Sequence, residues 1–179
     1  YKDILEGGYN IGNPDLVRII AENALPTAEW LRDECKVEFK DEQSWYGGHK
    51  VARTLWPKGD GPQYMDTLEE KARGLGVEFY LQTEAEELIT DESGKVVGVN
   101  ATHKNGAKYT FNANNGVILA TGGFGKNVEM RQKYNKNWPT LDESIPSTNS
   151  PAITGDGIEM GQGVGANVIE NIIEKIRIK

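Results

Sequence analysis

The sequence has little of several things that usually identify a protein class. A single cysteine, Cys35, cannot form an internal disulfide, and neither it nor the two histidines show the spacing of a metal site. No apolar run approaches the roughly 20 residues that span a bilayer. Basic residues are also few: 20 Lys and Arg against 27 Asp and Glu give a net charge of -7. This balance argues against a nucleic-acid partner and predicts a soluble chain without direct membrane insertion.

The glycine fingerprint of dinucleotide-binding folds, Gly-x-Gly-x-x-Gly directly after an apolar strand, is also missing. Gly155 and Gly157 are followed by further glycines, but no apolar strand pattern precedes them. The chain has 179 residues, the length of one domain, and its first residue is Tyr1. A start other than Met suggests a chain excised or processed from a longer protein, whose compartment stays open.

The first third of the sequence has a helical pattern. Asn13 and Pro14 form a helix start signal, because Asn caps helices and Pro suits the first helical position. An apolar stripe at helical spacing follows. Pro26 is expected to interrupt this helix, and a second helix is expected to end near Cys35. Residues 45–61 are rich in turn formers and predict a loop.

The pattern then changes to short segments of alternating polarity. Asn105-Gly106 is a strong hairpin signal, and residues 91–94 form a second turn sequence. These turns predict an antiparallel β-meander over residues 85–111. Strands are predicted at residues 77–81, 85–89, 95–102 and 108–111, after a helix over residues 63–75.

A continuous apolar run, Val117–Ala120, follows the meander. Such a run is typical of a strand buried on both faces, and the small residues Thr121–Gly123 predict a tight turn exposed at one sheet edge. Ligands of open α/β sheets bind beyond the carboxyl ends of strands, although an ordinary strand-to-loop turn gives the same pattern. With helices expected at residues 127–134 and 158–163, the order predicts an α/β fold with an inserted antiparallel meander.

Two further segments have residue types that suit a ligand. Thr154-Gly155-Asp156-Gly157 directly precedes a predicted helix, where backbone N–H groups and the Asp156 carboxylate suit a hydroxyl-rich or anionic ligand. The alternative is that Asp156 or Thr154 simply caps the helix. Residues 49–57, after Gly47 and Gly48, either line a cleft or form a solvated basic loop.

In this order, the segments resemble the flavoprotein subunit family of fumarate reductase and succinate dehydrogenase, and most closely its soluble flavocytochrome c and urocanate reductase-like branch. The residues that carry the resemblance are 13–31, 47–57, 120–124 and 154–157, and the last two segments are its most specific marks. The resemblance implies that residues 1–179 are a partial FAD-binding domain of the Rossmann-like three-layer α/β type. A helical segment and a flavin-side loop would occupy residues 1–60, and the α/β part with its β-meander residues 61–179.

The resemblance also implies FAD as the cofactor of the parent enzyme, lying extended across the domain. It assigns no catalytic residue and no metal ligand to this chain. The positions that match cofactor contacts are Gly47 and Gly48 beside the isoalloxazine, Ala85 at the adenine, Ala120, Thr121 and Gly122 where the chain passes the cofactor, and Asp156 touching FAD.

The implied activity is hydride transfer from FAD to a small α,β-unsaturated acid such as fumarate or urocanate, with an electron-donor domain or protein as partner. Leu55 stands where many fumarate reductases have a histidine, which favours another unsaturated acid. The family places its proton donor beyond Lys179 and its pyrophosphate glycines before Tyr1, so we expect the chain alone to bind FAD weakly or not at all and to be inactive. The alternatives are a ketosteroid-dehydrogenase-like flavoenzyme and a cofactor-free binding or scaffold domain.

Overall fold

A computed structural model describes residues 1–46, 49–135 and 144–168 of the chain. The chain divides into two compact units, Tyr1–Phe79 and Tyr80–Lys179. The division after residue 60 that the resemblance implied stays a prediction. The first unit contains α1 (Lys2–Gly7), α2 (Pro14–Asp33) and α3 (Asp60–Gly74); the second contains β1 (Thr83–Thr90), β2 (Val96–His103), β3 (Lys108–Asn112), α4 (Val128–Tyr134) and α5 (Asp156–Gly163).

Helix α2 begins at the predicted cap. The Asn13 Oδ1 atom accepts hydrogen bonds from the backbone N–H groups of Asp15 at 2.9 Å and Leu16 at 3.4 Å. The expectation that Pro26 splits this segment into two helices is wrong, because α2 continues through it for 20 residues. A proline removes one helical hydrogen bond and crowds the carbonyl one turn back, which kinks a helix without ending it when both flanks are helical.

The interior of the first unit is small and lies at the end of α2. Cys35 is 2% exposed and Val37 1% exposed. Two isolated antiparallel bridges, Phe39 with Pro57 and Ser44 with Thr54, close the predicted loop on itself. The loop is therefore held by local backbone pairing.

Residues 77–81 do not form the predicted strand. The chain leaves α3 through Gly76, in the left-handed region at φ 85°, and Val77 and Leu81 are exposed. Alternating apolar residues become a strand only when a neighbouring strand pairs with them. Tyr80 instead packs its ring edge-on against Phe111, with ring centroids 4.7 Å apart.

The meander prediction is confirmed. Strands β1, β2 and β3 form an antiparallel sheet in that order, with β1 paired to β2 and β2 paired to β3. Both predicted turns close: the Gly94 N–H donates to the Asp91 carbonyl at 2.9 Å, and the Gly106 N–H donates to the His103 carbonyl at 2.8 Å. In the middle of β2, a Cβ on Gly98 would overlap the Phe111 carbonyl oxygen.

The prediction of a buried strand at Val117–Ala120 is wrong. No strand is assigned there, and Ile118 is 92% exposed. The segment keeps the alternation of an extended chain, with Leu119 and Thr121 lying against α5. Within the described part of the chain, no backbone partner pairs with these residues. Without a partner, an apolar run stays a single extended segment.

The tight turn expected at Thr121–Gly123 is also displaced. These residues are exposed and Gly122 is left-handed at φ 75°, but the hydrogen-bonded turn spans residues 124–127. There the Asn127 N–H donates to the Phe124 carbonyl at 2.9 Å. Helices α4 and α5 follow as predicted, although α5 begins two residues earlier, at Asp156.

Candidate functional site

The start of α5 is built on a glycine in an unusual conformation. Gly155 is the N-cap residue and lies in the left-handed region at φ 92°. It is buried, and a Cβ placed there would overlap the Met130 sulfur and approach Phe124 Cβ to 2.9 Å. Both the backbone conformation and the space therefore require glycine at this position.

Asp156 does not cap the helix, and neither does Thr154. Among the residues that the structure describes, no side chain caps the N-terminus of α5. Instead, the Thr154 hydroxyl donates a hydrogen bond of 2.7 Å to the Asp156 Oδ2 atom. The Asp156 side chain is exposed, so the hydroxyl orients a carboxylate that can still accept hydrogen bonds from a ligand.

Ala85 and Asp156, two of the predicted site residues, line one cavity. This cavity has a volume of about 490 Å³ and lies where α5 packs against β1. Asp156 also lines a second cavity of about 730 Å³, together with His103 at the end of β2 and Lys104 in the β2–β3 turn. The structure therefore brings together two positions that are far apart in the sequence.

Thr121 and Gly122 reach the same end of α5. A Cβ on Gly157 would overlap the Thr121 hydroxyl oxygen, so these two residues are in direct contact. Gly122 lies near Ile153, whose Cδ1 atom would be 3.1 Å from a Cβ on the glycine. Four of the predicted residues thus lie around the loop that starts α5: Ala85, Thr121, Gly122 and Asp156.

The remaining predicted residues are less well placed. Ala120 is exposed and lines neither of the two cavities. Gly47 and Gly48 lie outside the described residues, so their predicted place beside the isoalloxazine stays a prediction.

Sequence reasoning missed several acidic residues of the site. Glu84, Glu86 and Glu87 of β1 and Glu159 of α5 line the first cavity beside Asp156. The signal was present, because β1 and the first turn of α5 are both rich in acids. A carboxylate accepts hydrogen bonds from hydroxyl groups, whereas it repels phosphate.

The sites fit the hydroxyl-bearing parts of FAD better than its pyrophosphate. The cavity wall is acidic, because Glu84, Glu86, Glu87 and Glu159 line it beside Asp156. The Asp156 carboxylate, oriented by the Thr154 hydroxyl, offers a hydrogen-bond acceptor to the hydroxyl groups of a polyol chain. The residues present therefore fit a ribityl or ribose segment.

Together these features define a domain of mixed helix and antiparallel sheet with an acidic cavity at the start of α5. Residues 1–177 match the family described as FAD binding domain. The chain belongs to this family, whose description names FAD, as predicted from the resemblance.

Relatives of known name support the same branch. The chain is 44% identical over 172 residues to the urocanate reductase of Eggerthella lenta. This alignment covers 94% of this chain and 28% of that protein. The structure of the open conformation of a flavocytochrome c3 fumarate reductase superposes with a TM-score of 0.82 at 33% identity, covering 93% of this chain and 29% of that one. The expected fold class is confirmed, and the chain spans under a third of these relatives.

A second, weaker structural neighbour is a steroid enzyme. The 3-ketosteroid-delta4-(5alpha)-dehydrogenase from Rhodococcus jostii RHA1 superposes with a TM-score of 0.66 at 27% identity, covering 82% of this chain and 36% of that one.

In the ranges 1–46, 49–135 and 144–168, no helix combines the length and hydrophobicity needed to cross a membrane.

Proposed function

We propose that this chain is part of an FAD-dependent oxidoreductase that reduces a small α,β-unsaturated carboxylate. The observation that carries the proposal is the shared cavity of Ala85 and Asp156 at the start of α5, in a chain that belongs to the FAD-binding family. The whole enzyme's substrate and electron donor are inferred by analogy with the relatives, whose names include urocanate reductase.

Within that enzyme, the described residues hold one stretch of the cofactor. The Asp156 carboxylate, oriented by the Thr154 hydroxyl, accepts hydrogen bonds from cofactor hydroxyl groups. The backbone at Ala85 contacts the adenine. Thr121 and Gly122 let the chain pass close to the cofactor, since Gly122 is left-handed at φ 75° and carries no side chain.

The chemistry comes from the cofactor, which supplies a hydride when it is bound. This chain's contribution is to place the cofactor, and an electron-donor domain or protein reduces the flavin. Leu55 in place of a histidine favours urocanate or another unsaturated acid over fumarate. The second candidate is a ketosteroid dehydrogenase, because the steroid enzyme superposes with a TM-score of 0.66. This score is lower than the TM-score of 0.82 for the fumarate reductase.

The experiment uses the full-length flavoprotein that contains this chain. Asp156→Asn keeps the size of the side chain and removes its charge, and Asp66→Asn makes the same change on an exposed face of α3. Charge-assisted hydrogen bonds contribute about 1.5–3 kcal/mol each, so the dissociation constant for FAD should rise roughly tenfold to a hundredfold in the first variant only. Equal binding by wild type and Asp156→Asn would contradict the assignment.

Substrate class is tested separately on the same protein. Reduced enzyme is mixed with urocanate, fumarate, acrylate or a 3-ketosteroid under anaerobic conditions, and flavin reoxidation is followed by absorbance. Rapid reoxidation by one of the acids supports the proposal. Reoxidation by the steroid alone would favour the second candidate, and a protein that never binds flavin would leave the scaffold alternative.

A further inference from the structure

The Asn127 side chain makes two hydrogen bonds with its two different amide atoms. Its Oδ1 atom accepts from the Met130 backbone N–H at 3.0 Å and so caps α4. Its Nδ2 atom donates to the Thr154 carbonyl at 2.9 Å, across 27 residues of sequence. The two partners fix the orientation of the amide, because a flipped amide would face a donor with a donor.

The second of these bonds holds the loop that precedes α5. Next to it, the Lys126 backbone N–H donates to the Ile153 carbonyl at 3.0 Å, so two consecutive carbonyls of the loop are bound to the start of α4. Thr154 is thus held through its backbone, while its hydroxyl binds the Asp156 carboxylate at 2.7 Å.

The packing around Gly155 also depends on the start of α4. Met130 lies in the first turn of α4, which Asn127 caps, and it is 3% exposed. Its sulfur occupies the space that a side chain on Gly155 would need. The start of α4 therefore sets the position of the loop from two sides, by a hydrogen bond and by van der Waals contact.

We propose that Asn127 is a positioning residue for the cofactor, acting through Thr154 on the orientation of the Asp156 carboxylate. Asn127 lines neither of the two cavities described above, so it acts on the cofactor indirectly, through Thr154 and Asp156. This inference rests on the proposed function, because it assumes that Asp156 accepts hydrogen bonds from FAD.

The two roles of Asn127 can be separated by substitution. Ser and Asp are good N-cap residues, so Asn127→Ser and Asn127→Asp keep an acceptor for the Met130 N–H. Neither has an amide N–H₂ group that could reach the Thr154 carbonyl. One replacement is neutral and the other is charged, so an effect common to both comes from the lost donor. Asn112→Asp, at an exposed position of β3, is the matched charge control.

The test measures FAD binding to the full-length flavoprotein, well below the unfolding temperature of each variant. We expect both Asn127 variants to keep the far-ultraviolet circular dichroism of the wild type. Their dissociation constants for FAD should rise about three- to tenfold, as for the loss of one ordinary hydrogen bond, and the visible circular dichroism of the bound flavin should change. Asn112→Asp should leave all three unchanged.

A double-mutant cycle distinguishes positioning from general stability. In an Asp156→Ala background, Asn127→Ser should have no further effect on FAD affinity, because its target is gone. Equal additional weakening in both backgrounds would show that Asn127 acts on stability alone and would overturn the inference. If Asn127→Ser binds FAD as tightly as wild type while Asp156→Ala does not, the inference fails and the proposed function stands; if Asp156→Ala binds normally, the proposed function fails.

Discussion

Thr121 lies directly against Gly157 of α5, so close that a Cβ on the glycine would come within 3.0 Å of both the Thr121 Cβ and Cγ2 atoms. Gly157→Ala should therefore separate the extended segment from the helix and destabilise α5 by about 1–3 kcal/mol, as overpacking does. Hydrogen exchange of the α5 amides in the full-length protein measures this.

The matched control is Gly163→Ala in the last turn of the same helix. A Cβ there meets nothing within 4 Å. Alanine favours the helix over glycine by about 0.5–1 kcal/mol, so this variant should slow exchange in α5. Similar hydrogen exchange of α5 in the two variants would show that Thr121 does not pack tightly against the helix.

Gly155 and Gly106 provide a second comparison. Both are left-handed, at φ 92° and φ 88°, but a Cβ on Gly106 would meet nothing within 4 Å, whereas a Cβ on Gly155 would meet Met130. Gly106→Ala should cost about 1–2 kcal/mol, the penalty of that conformation for an L-residue. Gly155→Ala should cost more and should also weaken FAD binding, as measured by flavin fluorescence. Equal losses of stability in the two variants would argue against the Met130 contact.

The cap of α2 can be tested at Asn13. Asn13→Ala removes the acceptor of the Asp15 and Leu16 N–H groups, and should destabilise the first turn by about 0.5–2 kcal/mol. Asn13→Asp keeps an acceptor and should behave like wild type. Faster hydrogen exchange confined to the first turn of α2, in the alanine variant only, is the expected result.

We expect the carboxyl group of Asp91, in the β1–β2 turn, to make the stability of the fold depend on pH. The pKa of the Asp91 carboxyl lies below its ordinary value of 3.8, chiefly because the Ser93 hydroxyl donates to it and also because the Lys95 backbone N–H does. A lowered pKa in the folded state means that this stabilisation is present above the ordinary pKa and is lost as the pH falls through the lower, folded value.

The Asp91 pKa can be measured directly by the carboxyl carbon chemical shift in an aspartate-labelled sample. Ser93→Ala removes the hydroxyl donor and keeps the two backbone donors, Ser93 N–H and Lys95 N–H, so it should raise this pKa towards its ordinary value. The variant should also lose less stability on acidification, because less of its folding free energy depends on the ionised Asp91 carboxylate. An unchanged titration would show that the hydroxyl does not bind Asp91 in solution.

Local signals predicted much of the fold. The Asn105-Gly106 turn and the alternation of β2 predicted the meander, and Asn13 and Asn127 marked the starts of α2 and α4. These signals work because each depends on residues close together in sequence. Val117–Ala120 failed for the opposite reason, since burial of a strand depends on a partner elsewhere.

The site was less accessible to sequence reasoning. Nothing in the spacing links Ala85 to Asp156, and only the resemblance placed both beside one cofactor. The hydrogen bond from Asn127 to the Thr154 carbonyl had no signal either, because a cap residue does not reveal where its second amide atom points. Long-range contacts of single side chains come from tertiary structure alone.

Gly98 has a consequence for how the sheet finds its pairing. Its neighbours in β2 are Val97 and Val99, and any side chain at its place opposite Asn112 would overlap the Phe111 carbonyl. A shift of the β2–β3 pairing by one residue would bring a valine into that space. The glycine therefore disfavours a register shifted by one residue, and this should make that mispaired hairpin less populated during folding.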